Sequence, residues 1–470
     1  MWTKIGFFIS ACMLAGCSSA NSAAPSEDDD SDVALEVAST VTDPGPRGGD
    51  PGVGGPYDTL SADEQTFFQA AKQIFEEVDS VSGKIEAGKG LGPTFNGNAC
   101  GQCHAEPAAG GTSPHPTLGH VRTANPQVGL ATLDRVPGQE QQVPSFITAD
   151  GPIREARFVK NPDGSDDGGV HGLYTIAGRT DAPGCVLPQP NFAKELAHNN
   201  VIFRIPTPVF GLGLLESVDE DTLVANLVAD ADGKAADGIS GTFNRSGNDG
   251  TITRFGWKAQ NKSLLVFAGE AYNVEQGVSN ELFPNERATA AGCQFNPGPE
   301  DATDPVSGEP GDTTAFATFM RLSAEPTPTT ASPSELRGQQ LFGTAADPGV
   351  GCVSCHSDTL KVGTSRYTGV TGAEIHPYSD LALHHMGDGL ADGVTQGNAG
   401  GDQFRTAPLW GVGKRIFFLH DGRSNPTNGG LINAILAHSS RGSEARRVIR
   451  RFTRLPASDQ QAVINFLRSL

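Results

Sequence analysis

The sequence predicts a mainly α fold in two domains of unequal size, the first enlarged by irregular segments and short β insertions. Three observations predict it. Apolar residues recur at helical spacing, most clearly at Phe67, Phe68, Ala71, Ile74, Phe75 and Val78. A Cys-x-x-Cys-His pentapeptide occurs twice, each time after such a helix, as Cys100-Gly-Gln-Cys103-His104 and Cys352-Val-Ser-Cys355-His356. The chain has 470 residues, too many for one small core, and its 59 Gly and 32 Pro space regular elements with irregular connections.

The N-terminus reads as a targeting segment. Lys4 precedes an apolar run from Ile5 to Leu14, too short to cross a bilayer, which ends in Leu14-Ala15-Gly16-Cys17. Residues 1–17 match a lipoprotein signal peptide and lipobox, cut before Cys17, which then carries the lipid. An ordinary signal peptide with a chance cysteine is the plainer alternative. Ser18 in place of Asp directs such a lipoprotein to the periplasmic side of the bacterial outer membrane. Residues 18–59, rich in Ser, Ala, Gly and Pro and acidic at Glu27, Asp28, Asp29, Asp30 and Asp32, read as a disordered tether.

Residues 60–331 form the first and larger domain. Ser61 and Glu64 make a capping box for its opening helix. Between Pro107 and Asn191 the composition is irregular, with short strand-like pieces such as Arg157-Phe-Val. Residues 332–470 form a compact second domain. A short amphipathic helix from Glu335 to Phe342 precedes Cys352, and Ser458-x-x-Gln461 reads as the cap of a last helix through Val463, Ile464, Phe466 and Leu467.

The two pentapeptides carry the chemistry. Thiols one helical turn apart reach the two vinyl groups on one porphyrin edge, and the adjoining imidazole then meets the iron, so the pattern marks covalent c-type haem attachment. Two cytochrome c-type haem domains and two haem c cofactors follow, with His104 and His356 as iron ligands. Zinc ribbons set their cysteine pairs 15–20 residues apart, whereas most of the chain separates these two. Of the eight cysteines, Cys185 and Cys293 remain; in an oxidising compartment they form a disulfide or stay as buried thiols. The formal net charge of −20 excludes nucleic acid as a partner and suits a basic one.

Four stretches, GLGPTFNGNACGQCHAEPAAGG, FRIPTPVFGLGLLE, RFGWKAQNKSLL and LWGVGKRIFFLHDGR, resemble the di-haem oxidoreductase ("thiol oxidoreductase") family. That family is related to bacterial di-haem cytochrome c peroxidases and to the di-haem methylamine-utilisation enzyme. The resemblance covers about residues 60–470. It implies an enzyme in which electrons from a small donor protein, a cytochrome or cupredoxin, enter at the second haem. Peroxide or a related small oxidant is then reduced at the first.

Trp257 resembles the tryptophan that relays electrons between the haems. Glu275 resembles the carboxylate over the first haem, in Glu-Gln-Gly where peroxidases have Glu-Met-Gly. Phe267 stands where they carry a glutamine. His438 aligns with their axial methionine, which implies two histidines on the second haem, with Met386 as rival ligand. His120 is the candidate for a further ligand of the first haem, with His115, His171 and His198 as alternatives. His420 reads as structural. The resemblance leaves room for one Ca2+, although Asp230-x-Asp232-Gly by itself reads as a polar turn. A lipid-anchored electron carrier without a substrate site and an O2-dependent oxygenase are the competing functions.

Overall fold

In the computed structural model Ser61 opens helix α1 (Ala62–Glu76), its side chain accepting from the Glu64 amide while the Glu64 carboxylate accepts from the Ser61 amide at 2.9 Å. Two of the unpaired donors at the helix start are thereby satisfied. The structure describes residues 35–470, apart from 137, 139, 330 and 368. The signal sequence, Cys17 and the acidic cluster lie outside that range.

The apolar stripe of α1 buries Phe68, Ala71 and Phe75. Phe75 stacks on Phe319 at 4.3 Å and meets Phe316 edge-on, both on helix α3 (Asp312–Leu322). Helix α2 (Leu264–Ala271), capped by Ser263, packs on α3 and runs into a wider π turn, Tyr272–Gln276. Between these elements regular structure is sparse. A three-stranded antiparallel sheet has β1 (Glu155–Phe158) at its centre, flanked by β2 (Val170–His171) and β3 (Val201–Arg204). Helix outweighs strand, and no strand among the described residues exceeds four residues. Cys185 and Cys293 are joined as a disulfide across 108 residues.

The second region repeats the opening of the first. Ser332 and Glu335 form a second capping box on helix α4 (Pro333–Phe342), with Pro333 at its first position, where the missing N–H costs no bond. Phe342 packs against Phe466 of the last helix, α6 (Ala457–Ser469), and against Tyr378. Helix α5 (Gly430–Ala437) ends at His438, its C-cap.

Two expectations are corrected here. The last helix begins at Ala457 after Pro456, without a side-chain cap, so Ser458 and Gln461 are not a capping box. Gln461 instead exchanges two 2.9 Å hydrogen bonds with the main chain of Thr42. The tether expected over 18–59 does not reach residue 59, because residues 35–59 lie along the folded body. Val41 is buried in the second core, the Asp43 carboxylate holds Arg468 at 2.7 Å, and Tyr57 and Leu60 are buried in the first core. The reason is side-chain chemistry that composition averages away: single apolar residues find slots, and one carboxylate answers a buried guanidinium.

The boundary near 331 is likewise not a boundary of cores. Leu360, Val362, Val370, Ile375, Leu381 and Trp410 are buried in the same cluster as Phe68 and Phe319. No described helix is long and apolar enough to cross a membrane.

Candidate functional site

The first cavity, about 1080 Å³, is lined by Cys100, Cys103 and His104. The two cysteines bound a single helical turn, Cys100–Cys103, and the His104 amide closes on the Cys100 carbonyl at 2.9 Å. The ring Nδ1 of His104 faces the Gly111 carbonyl at 3.1 Å. That contact sets Nδ1 as the protonated nitrogen and leaves Nε2 with its lone pair. Burial pushes the imidazole down to about 4, so it stays neutral, the form that binds a metal.

Glu275 lines the same cavity from the π turn. Its main-chain carbonyl accepts from the amides of Asn96 at 2.6 Å and Gly97 at 3.2 Å, and the Gln276 carbonyl accepts from Gly92. Gly277 ends the turn at φ +75°, where a Cβ would stand 2.3 Å from the Thr94 carbonyl oxygen. Only glycine allows that approach. The segment that leads into Cys100 therefore also holds Glu275 in place. Burial, then the nearby carboxylates Glu155 and Glu270, push the Glu275 carboxyl up to about 8, against a smaller pull from Arg157. It is a neutral acid at pH 7, able to give or take a proton near that value.

Phe267 also lines this cavity and stacks on Phe255. A glutamine is present nonetheless: Gln260 lies in the wall, its Oε1 buried without a partner. His104 is the one histidine among the described lining residues. His120, the expected candidate for a further ligand, is not in the lining; its ring nitrogens contact Glu106 at 3.0 Å and the Gly49 carbonyl at 3.1 Å. His115 contacts Thr117 and Phe417, His171 contacts Asp167 and Phe158, and His198 is exposed.

The second cavity, about 1440 Å³, is lined by Cys352, Cys355, His356, Met386 and His438. The turn geometry recurs: the His356 amide meets the Cys352 carbonyl at 2.9 Å, and His356 Nδ1 faces the Tyr378 carbonyl at 2.8 Å. His438 Nδ1 is held at 2.7 Å by the Ala434 carbonyl, one turn back in α5. Two imidazoles thus present free Nε2 atoms to one cavity. Both sit below their ordinary value, chiefly through burial. Met386 lines the cavity too.

Trp257 lines both cavities. Its indole N–H donates to the Ile205 carbonyl at 3.0 Å, and its ring meets that of His420 edge-on at 6.4 Å. His420 is buried, stacked on Phe404, and pushed down to about 4 by burial. The neighbouring Lys258 is buried against Asp392 at 3.1 Å, and Asp392 also holds Arg204 at 2.7 Å. This ion network fixes the Trp257 segment to the residues that follow both haem motifs.

Sequence reasoning missed three groups. His384 lies buried between Asp380 and Glu444, at 3.0 and 2.7 Å. Gln260 lies within the stretch RFGWKAQNKSLL, three residues after Trp257. Arg405 and Arg415 carry no local signal. Asp230 precedes the short helix Ala231–Asp237 with left-handed backbone, and no group of three or more His, Cys, Asp or Glu among the described residues is arranged to hold a metal ion.

Two Cys-x-x-Cys-His turns, each opening on its own cavity with a free imidazole nitrogen, define the build of a two-haem redox protein. The family described as "Di-haem oxidoreductase, putative peroxidase" matches residues 155–470, and the chain belongs to it. The first pentapeptide lies upstream of that match. Among solved structures, the crystal structure of a MauG-like protein associated with microbial copper homeostasis aligns at 13% identity and a TM-score of 0.34, over 91% of this chain and 93% of that one. No curated protein matches.

Proposed function

We propose that this chain is a peroxidase-type di-haem enzyme with both haems covalently held, on Cys100 and Cys103 and on Cys352 and Cys355. Bound haem would supply the redox centres, and the first cavity would hold its haem with His104 as the one histidine among the described lining residues. The residues fit such groups: half-buried thiols one turn apart and imidazoles locked through Nδ1, each set lining its own cavity. His104 is the single imidazole that would ligate the first haem, and His356 and His438 the pair that would ligate the second.

The observation that carries the reading is this asymmetry together with Glu275. A cavity with one histidine and a neutral carboxylic acid suits proton-coupled chemistry on a small molecule. A cavity with two histidines suits electron transfer alone. In its ionised form, which gains population as pH approaches about 8, Glu275 takes a proton from the incoming peroxide and returns it to the departing oxygen. Trp257, part of both walls, offers a route for electrons between the two. The electrons come from a small basic donor protein drawn to the acidic surface, with the chain lipid-anchored at Cys17 on the periplasmic side of the outer membrane.

The test is electron paramagnetic resonance of the haem-loaded protein before and after peroxide. One high-spin haem that reacts, with the reaction lost in Glu275→Gln while both haem spectra persist, supports the reading. Two low-spin haems inert to peroxide after half-reduction would replace it with an electron carrier. Phe267 stacked on Phe255 at the first cavity favours a second reading, an O2-dependent oxygenase, which consumption of O2 with an organic substrate would reveal.

A further inference from the structure

Two arginines in the second cavity are buried without a counter-charge. Arg405, 7% exposed, ends strand β5 (Gln403–Arg405), which pairs with β4 (Leu383–His385); Arg415, 6% exposed, follows the short turn Val412–Lys414. Arg405 donates through Nε to the Gly256 carbonyl at 3.0 Å, yet its Nη1 has no partner. Arg415 leaves both Nε and Nη2 without one. Burial alone acts on each guanidinium, pushing it down to about 10. Two other buried arginines are answered by a carboxylate, Arg468 by Asp43 and Arg204 by Asp392, both at 2.7 Å, and buried Arg254 spends Nη1 on the carbonyls of Leu215 and Val218.

An unpaired buried cation is strongly destabilising, and unsatisfied donors on a cavity wall call for an acceptor inside the cavity. The one carboxylate in this lining, Glu444, is already held by His384 at 2.7 Å and by the Ser240 amide. The missing acceptors therefore do not come from the described residues. Guanidinium forks match carboxylates in shape and charge. A haem brings two carboxylates, and this cavity offers two unanswered guanidiniums.

We propose that Arg405 and Arg415 are the propionate clamp of the second haem. The inference rests on the reading that the second cavity holds haem. It also links the clamp to the wall shared by both cavities: the Arg405 amide donates to the Trp257 carbonyl at 2.9 Å, and its Nε to the carbonyl of the residue before. Fixed positive charge beside the propionates favours the reduced haem, so the clamp sets the potential at which the second haem accepts an electron.

The test uses the haem-loaded full chain and its Arg405→Leu, Arg415→Leu, Arg405→Lys and Arg415→Lys variants. Haem per chain is counted, each haem's midpoint potential is measured by spectroelectrochemistry, and the propionate bending modes are read by resonance Raman. The expected result is a downward shift of the second haem's potential in both Leu variants, largely recovered by Lys, with the first haem's potential unchanged. Should a Leu variant fail to fold, altered propionate modes in the matching Lys variant support the clamp. Two haems per chain with unchanged potentials and unchanged propionate modes would overturn the clamp and leave the di-haem reading standing. A wild type loaded with one haem, on the first pentapeptide, would overturn both.

Discussion

The two cavities begin from the same five-residue pattern and end as different environments. Each starts with a capped helix, α1 or α4, then a Cys-x-x-Cys-His turn whose histidine gives its Nδ1 to a main-chain carbonyl. What the remaining chain adds is different. The first cavity receives Glu275 on a π turn and no second histidine among the described residues. The second receives His438, Met386 and two uncompensated arginines. The lesson is that one five-residue motif builds the same turn in both cavities, while distant segments decide what surrounds it.

Removing the acid is the strongest way to break the comparison. Glu275→Gln keeps the size of the side chain and loses its proton exchange, so peroxide turnover falls by roughly 10²–10⁴-fold. The spectra of both haems should be unchanged; turnover within threefold of wild type would remove Glu275 from the reaction. His438→Met acts on the other cavity. A thioether in place of imidazole raises the potential of the second haem, by a sizeable part of the ~0.8 V that axial ligands span. No shift on redox titration would mean that Met386 already ligates there.

A smaller effect separates the cavities by pH. Glu275 holds its proton below about 8 and is ionised above. A step in which it first accepts a proton from peroxide speeds up as pH rises through that value. Stopped-flow rates in Glu275→Gln should lose this rise, while electron uptake at the second haem keeps its own profile in both proteins. The smallest effect tests the shared scaffold. Ser61→Ala and Ser332→Ala each remove one capping bond and should each cost about 1 kcal/mol in chemical denaturation. A cost confined to one of them would mean that the two openings are not equivalent.

Much of this was legible in local sequence. Capping boxes and Cys-x-x-Cys-His turns are completed within one helical turn, so Ser61 and both Cys-x-x-Cys-His motifs sit in the helix and turns their spacing implies, whereas the Ser332 box emerged only with the structure. Ser458 failed by the same logic: Pro456 starts the helix earlier and a distant residue, Thr42, claims Gln461. The segment 35–59 failed because its few anchoring side chains, Val41, Asp43 and Tyr57, are invisible in a composition average.

The sequence by itself determined the two Cys-x-x-Cys-His turns, the helical openings and the irregular first half, because these depend on neighbours a few residues apart. Only the tertiary structure decided that Trp257 belongs to both cavities, that His120 is spent on Glu106, and that Arg405 and Arg415 share a cavity whose described carboxylate, Glu444, is taken by His384. Burial and charge compensation are properties of surroundings gathered from across the chain, and no local spacing encodes them.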